Sequence, residues 1–288
     1  PVEALSTENG RVIAPGGIEL SYAELAQDAA GIDPPRRVAL RPASSWKYLG
    51  RAMPRLDIVE KVTGRAEYGI DKRLPGMRFA TVRMCPRLGG EMRAFDASVA
   101  EAMPGVERVI DLGTGVAVVA TNTWLAMRAA EAVEIDWGPA PYPETSEALM
   151  GVIRAALDGE TNSTLRDEGD VDRMEVAPSD RVIEAEYTAP WLAHATMEPM
   201  SAAAHFTGDR LEIWTGSQAP GFAEEAAARA VGLEPEQVSC HVTYLGGGFG
   251  RRGENDFVVL AARVAQAMAG TPVQVTWSRE EDMRHDFY

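Results

Sequence analysis

The sequence predicts an α+β protein of about two domains, and three observations carry that reading. At 288 residues, the chain has length for about two units of roughly 100–200 residues. Short strand-like and helix-like segments follow one another from about Arg51 to Gly138, and further strands and helices follow between Arg181 and Trp277. Between these runs, Gly138-Pro139-Ala140-Pro141-Tyr142-Pro143 is a rigid stretch that no helix tolerates.

Each element has a local reason. Ser21-Tyr22-Ala23-Glu24 reads as a capping box that opens a helix through Ala30, and Gly31 with Pro34-Pro35 stops it. Arg36–Leu40 reads as a strand. Phe79 and Val82 lie in a strand ahead of a Gly89-Gly90 loop, and Asp96 caps a short helix that ends before Pro104-Gly105. Glu107–Asp111 and Val116–Ala120 form strands joined by Gly113-Thr114-Gly115. Trp124, Met127, Ala130 and Ala132 fall near one helical face, and Val133–Trp137 is the next strand. Past the Pro-rich stretch come a helix over Thr145–Leu157 and an exposed polar segment over 158–180. Strands follow at Arg181–Thr188, Ala202–Phe206 and Leu211–Thr215. The last part reads helix (Gly221–Val231), strand (Val238–Tyr244), Gly-rich loop, helix (Asp256–Ala269) and strand (Val273–Trp277).

Composition removes several function classes. With 45% hydrophobic and 25% charged residues, the chain can pack a core and is not a low-complexity polymer. A net charge of −15 repels nucleic acid and acidic lipid. The longest apolar run, Phe257–Ala262, is far too short for a membrane span, and Pro1-Val2-Glu3-Ala4 shows no secretory leader. Cys85 and Cys240 offer neither metal-ligand spacing nor a disulfide framework. An iron–sulfur cluster needs about four thiolates, so any such cluster belongs on another chain.

The sharpest motif is Leu245-Gly246-Gly247-Gly248-Phe249-Gly250-Arg251-Arg252-Gly253, between a strand and a helix. Its glycines let the backbone take positive φ and approach a ligand closely. The following helix start and the two arginines suit an anion such as phosphate. A flexible connection with solvated arginines is the plain alternative. Gly248-Phe249-Gly250-Arg251-Arg252-Gly253 also fits the dinucleotide fingerprint of a Rossmann-like domain, with Glu280 placed to meet a ribose; a non-catalytic interaction domain is the other alternative.

Further motifs lie in order around that loop. Trp214-Thr215-Gly216-Ser217-Gln218-Ala219-Pro220 precedes it, with Gln218 lying 31 residues before Phe249. Val62-Thr63-Gly64-Arg65-Ala66-Glu67-Tyr68-Gly69-Ile70-Asp71, Ala195-Thr196-Met197-Glu198-Pro199-Met200 and Pro272-Val273 through Arg279-Glu280-Glu281-Asp282 complete the set. Together they resemble the large, molybdopterin-binding subunit of the molybdenum hydroxylases, the group of xanthine dehydrogenase, aldehyde oxidase and isoquinoline 1-oxidoreductase. The Ala-Thr-Met-Glu-Pro segment is similar to the isoquinoline branch and to the related aldehyde dehydrogenase large subunits.

That resemblance implies an α/β hammerhead-like domain over 51–141 and the first part of a molybdopterin-binding α+β domain over 142–288, with residues 1–50 packing on the cofactor lobe. It implies that Gln218 contacts an oxo ligand of the metal and that Phe249 and Gly250 lie beside metal and substrate. Gly246, Gly247 and Gly248 then bring amides to the pterin, with Arg251 part of the same cofactor-binding loop. The cofactor so implied is molybdopterin, as its cytosine dinucleotide. A partner [2Fe-2S] subunit carries the electrons, and the substrate is an aldehyde or N-heteroaromatic that gains oxygen from water. The purine-hydroxylating pattern has a glutamate where Gly253 stands, so purine is disfavoured, and Glu254 would replace it only with a one-residue shift. The family's catalytic glutamate sits in a later Gly-rich motif that this chain lacks. The chain is therefore expected to be a fragment that works with the remainder of its subunit, holding no cofactor and doing no chemistry alone.

Other candidates read as structural. His194 and Glu198 are four apart and would share a helix face, which suits a polar contact better than a metal site. Cys240 reads as a small core residue, with His241 on the opposite strand face.

Overall fold

The computed structural model describes residues 2–170, 173 and 177–287. The chain divides into two compact units, Pro1–Val59 and Glu60–Tyr288.

In the first unit, β1 (Ser6–Glu8), β2 (Arg11–Ala14) and β3 (Ile18–Ser21) form an antiparallel sheet ahead of α1 (Tyr22–Ala29). The capping box is present: Ser21 Oγ accepts from Glu24 N–H at 3.2 Å, and the Glu24 carboxylate accepts from Ser21 N–H at 2.7 Å. Those bonds to Ser21 hold the Glu24 carboxyl below its ordinary pKa. Sequence periodicity missed the sheet because its strands are three or four residues long and mostly exposed. The turn Asn9-Gly10, both residues at positive φ, was the available signal for the first hairpin. Arg36–Leu40 is irregular and exposed, not the expected strand.

After α2 (Ile58–Val62), the second unit holds β4 (Arg78–Met84), β5 (Met92–Asp96), α3 (Ser98–Glu101), β6 (Val106–Asp111), β7 (Gly115–Ala120), α4 (Thr123–Glu131), β8 (Glu134–Trp137) and α5 (Ser146–Leu157). Beyond these lie β9 (Ser201–Phe206), β10 (Leu211–Thr215), α6 (Pro220–Val231), β11 (Val238–Val242), α7 (Asp256–Ala267), β12 (Val273–Thr276) and α8 (Arg279–Arg284). Seven strands form one sheet in the order β11-β10-β9-β12-β4-β7-β6, while β5 and β8 pair separately.

That sheet corrects the expectation of a self-contained lobe ending at the Pro-rich stretch. Strand β12 pairs parallel with β4, Val273 facing Arg78, and antiparallel with β9 on its other edge. All four β12 residues are buried, so both backbone edges need ladder partners, and β4 supplies one. Residues 92–135 nevertheless keep a core of their own. Along β7 the side chains alternate: Ala117 and Val119 join the main core under α6 and α7, while Val116 and Val118 pack on Ala100 of α3 and Ala129 of α4. Burying each of these valines is worth about 1.5–3 kcal/mol. The buried face of α4 is alanine (Ala126, Ala129, Ala130), which lets the helix sit close to the sheet, and Trp124 is left 68% exposed.

Two further differences concern strand and helix ends. Arg181–Thr188 has the alternation of a strand but stays irregular and exposed, with no ladder partner among the described residues. Arg279–Arg284 is a helix: Ser278 Oγ accepts from Glu281 N–H at 3.2 Å, an N-cap whose Ser-x-x-Glu signal stood in the sequence.

Candidate functional site

Topology brings four segments to one end of the sheet. Strands β10 and β11 run parallel, so their carboxyl ends lie together; β9 is antiparallel to β10, so its amino end joins them. Strand β12, antiparallel to β9, adds its carboxyl end. The segments that emerge there are 216–218 after β10, the Gly-rich loop after β11, 194–199 before β9 and 277–286 after β12. Carboxyl ends of parallel strands are the usual place for a ligand crevice in α/β sheets.

A buried ion pair ties three of these segments together. The Arg252 guanidinium, wholly buried, donates to the carbonyls of Gly247 (2.9 Å), Gly216 (3.3 Å), Glu198 (3.0 Å) and Pro199 (3.3 Å), and to Glu198 Oε2 at 3.0 Å. Glu198 in turn accepts from Gly246 N–H at 2.9 Å and from Ile70 N–H at 2.8 Å. Burial pushes Arg252 below its ordinary pKa, and the Glu198 carboxylate opposes that shift. With Ile70, Gly246 and Arg252 on its oxygens, Glu198 is an anchor and has little capacity left to serve as a base.

The loop's glycines are needed for close approach. A Cβ on Gly246 would lie 2.3 Å from Glu198 Cβ, and one on Gly248 would lie 2.6 Å from Gln218 Oε1. Gly247, Phe249 and Gly250 take φ of 106°, 54° and 108°, so Phe249 carries strain that an L side chain rarely accepts. Gln218 N–H donates to the Arg252 carbonyl at 2.9 Å, and Gln218 Oε1 accepts from Gly250 N–H at 3.1 Å. The two motifs 31 residues apart in sequence therefore touch. Phe249, 75% exposed, stands at the rim of a cleft of about 650 Å³ with Lys61, Tyr68, Met197, Leu245 and Gly247.

Other expectations are corrected here. Arg251 and Arg252 do not face a phosphate, because burial forces their donors onto internal acceptors. Arg251 makes a bidentate pair with Asp256, both bonds 2.8 Å, and donates to the His285 carbonyl at 3.2 Å. Its guanidinium lies between the Trp277 and Phe287 rings, 5.6 and 5.2 Å from their centroids. The Arg251 side chain thus braces the loop from behind. In a dinucleotide fingerprint the third glycine makes a close helix–strand contact, yet Gly253 ends a 3-10 turn with nothing within 4 Å of its Cβ position. The loop runs into that turn and reaches α7 only at Asp256, so the Rossmann-like reading lacks its geometry. His194 and Glu198 share no helix: the 191–200 segment is irregular, with His194 paired to Asp286 and Glu198 to Arg252. Among the described residues, no cluster of three or more His, Cys, Asp or Glu could hold a metal ion, and no helix is long and apolar enough to cross a membrane. Cys240 packs against the main core as expected, its thiol pushed up to about 11 by burial and then by Glu224. Glu254, the shifted candidate for the purine-binding glutamate, is exposed.

Similarity to known proteins falls on the same residues. The molybdopterin cofactor-binding domain family matches residues 157–287. The chain is 32% identical to the beta chain of isoquinoline 1-oxidoreductase from Brevundimonas diminuta, over 86% of its own length and 33% of that protein's. The chain belongs to the molybdopterin-binding large subunits of the xanthine dehydrogenase/aldehyde oxidase family. It is also 30% identical to a nicotinate dehydrogenase subunit of Pseudomonas putida, over 98% of this chain and 24% of that one. The chain thus spans about a third or less of the length of these curated relatives. The crystal structure of quinoline 2-oxidoreductase from Pseudomonas putida 86 shares the fold, with TM-score 0.64 and 23% identity over 82% of this chain and 35% of that one.

The donor set suits the group that this family binds. The consecutive amides of Gly247, Gly248 and Phe249 have no partner among the described residues, and successive free amides around positive-φ residues form a concave anion- or oxo-binding surface. The Gln218 Nε2 amide beside them has no protein partner among the described residues either. What sequence reasoning missed is the bracing behind this surface: Glu198, Arg252, His194 and Asp286. The polar-contact reading of His194 and Glu198 and the Arg-Arg pair of the loop were the available signals, with their partners unassigned.

Proposed function

We propose that this chain forms the cofactor-facing part of a molybdenum-dependent oxidoreductase that acts on an N-heteroaromatic or aldehyde substrate. The observation that carries the reading is the Gln218–Gly250 hydrogen bond, which joins the Gln motif to the Gly-rich loop beside three free amides. Molybdopterin, in its cytosine dinucleotide form, supplies the redox centre when bound. The chain's own groups then divide the work. The amides of Gly247, Gly248 and Phe249 and the Nε2 of Gln218 donate hydrogen bonds to oxygens of the bound group, where fixed donors lower the energy of developing negative charge. The Phe249 ring, exposed at the cleft rim, orients a planar substrate by its face or edge.

Residues elsewhere in a longer subunit supply the base, since Glu198 is committed to Arg252, Gly246 and Ile70. Electrons leave to a [2Fe-2S] partner subunit, a reading supported by relatives that are themselves named as subunits. The segment over 62–71 supports a hammerhead-like assignment for residues 51–141. An N-heteroaromatic substrate is favoured because the two relatives described are named for isoquinoline and nicotinate, and Gly253 lacks the side chain that a purine site uses.

The test is elemental analysis for molybdenum on the complete complex, with dye-linked oxidation of isoquinoline, an aldehyde and xanthine. Stoichiometric molybdenum with turnover of one of the first two and none of xanthine is the expected result. A complex without molybdenum, or one that prefers xanthine, overturns the reading.

A further inference from the structure

A second charged pair borders the same loop, and the functional reading leaves it unused. Asp286 is 2% exposed, and both of its oxygens face His194. Oδ2 accepts the His194 backbone N–H, and Oδ1 lies 2.8 Å from the imidazole Nδ1. Oδ1 also accepts from Phe287 N–H at 2.8 Å and has the Arg251 Nε at 3.4 Å. With a carboxylate that already accepts from other donors at Nδ1, the neutral imidazole carries its proton there and leaves Nε2 as a bare acceptor.

That Nε2 has no partner among the described residues. It points at Gly250, where a Cβ would stand 3.4 Å from it, and Gly250 is the residue whose N–H binds Gln218. The His194 side chain keeps 26% exposure, so the ring edge is open to a ligand. The backbone around it is held under strain: Ala195 has φ 44° and Phe249 φ 54°, two of the three non-glycine positive φ values among the described residues. Strained residues of this kind persist where the surrounding structure holds a functional geometry.

We propose that His194 is a binding residue of the Gly-rich loop site: its Nε2, set by Asp286, accepts a hydrogen bond from an N–H or O–H group of a heterocycle seated on the loop. The proposal rests on the functional reading above, and two heterocycles offer such a donor, the pterin of the cofactor and the hydroxylated product, a lactam whose ring nitrogen carries a proton. Asp286 is the positioning residue, acting through the ring it orients.

Diethyl pyrocarbonate footprinting of the complex, read by mass spectrometry, tests it. Modification of His194 is followed in the cofactor-free form, in the cofactor-loaded form and with isoquinolin-1(2H)-one added to either. Exposed His241, whose side chain is 48% accessible, is the internal reference. If the pterin is the donor, loading slows His194 modification about tenfold, the scale of one hydrogen bond; if the lactam product is, isoquinolin-1(2H)-one does so. Equal rates in every form, measured against His241, overturn the proposal. His194→Asn places an amide donor where Nδ1 was, keeping the tie to Asp286 while removing Nε2. It should lower molybdenum content in the first case, or weaken inhibition by isoquinolin-1(2H)-one with metal content intact in the second. A His194→Asn complex with wild-type metal content and wild-type inhibition by isoquinolin-1(2H)-one overturns the binding role and leaves only the Asp286 tie. A complex that carries no molybdenum overturns the functional reading instead, and protection of His194 by isoquinolin-1(2H)-one alone then decides the residue's role.

Discussion

Glu198→Gln is the most informative single change in the protein. Gln matches Glu in size, so it makes no cavity, but it cannot serve the same three donors. In the wild type, Oε1 accepts from Ile70 N–H at 2.8 Å while Oε2 accepts from Gly246 N–H at 2.9 Å and Arg252 at 3.0 Å. A Gln keeps one oxygen and turns the other position into a donor that faces donors. It also leaves Arg252, wholly buried, without its counter-charge. Breaking a buried pair from one side costs about 3–5 kcal/mol. In a unit of this size that corresponds to a fall of about 6–20 °C in Tm. Circular dichroism melts and urea titration measure it. A second variant separates the pair from the pin. For an isolated buried ion pair, replacement of both partners by apolar residues is neutral or stabilising by about 1–4 kcal/mol. Here Glu198→Leu with Arg252→Met should stay destabilised, because Arg252 also satisfies the carbonyls of Gly216, Gly247, Glu198 and Pro199. Each carbonyl left unsatisfied in the interior costs about 1–3 kcal/mol. A double variant as stable as the wild type, or Glu198→Gln within error of it, would refute the pinning argument.

Gln218→Ala should lower turnover of the complete complex while changing stability little, since Gln218 is exposed and its side chain holds only the Gly250 N–H; unchanged turnover in a metal-loaded variant counts against its role. Gly246→Ala and Gly248→Ala should differ sharply in denaturation: the first drives a Cβ to 2.3 Å from the anchored Glu198, the second only to 2.6 Å from the movable Gln218 amide. Equal losses would show that Gln218 is as fixed as Glu198. Burial raises the Glu281 pKa above its ordinary 4.5, against the opposing Met84 N–H and His285. Its contribution to stability is therefore complete below that value and lost as pH rises through the folded pKa. Glu281→Gln, which keeps an oxygen for Met84 N–H at 3.0 Å, should remove that slope from urea midpoints measured against pH, and an unaltered slope assigns it to another group. Cys240, its thiol pushed up to about 11, should resist iodoacetamide at neutral pH in the folded protein, and rapid alkylation there would mean the strand opens.

The division between sequence and tertiary structure follows the range of the forces involved. Local signals decided the elements whose partners lie a few residues away: the Ser21–Glu24 box, the strand–turn–strand from Val106 to Ala120, the Pro220 and Thr145 helix starts. The family resemblance of the motifs implied that Gln218 and the Gly246–Gly250 loop lie together, and the Gly250 N–H bond to Gln218 brings them into contact; local physics supplied only the glycines, because backbone in close approach cannot carry a Cβ. Arg36–Leu40 and Arg181–Thr188 show where that stops. Alternation makes a strand only if another edge accepts its ladder hydrogen bonds, and neither segment pairs with one among the described residues. The same rule, read the other way, let β12 recruit β4 across the Pro-rich stretch and merge two predicted regions into one sheet. Charge shows the limit most clearly. Arg251-Arg252 beside glycines looked like an anion site, since sequence cannot tell an exposed guanidinium from a buried one. Only the fold, by bringing Glu198 and Asp286 from distant segments to join Asp256 five residues on, decided that both arginines turn inward, because a charge removed from water must find its partner inside.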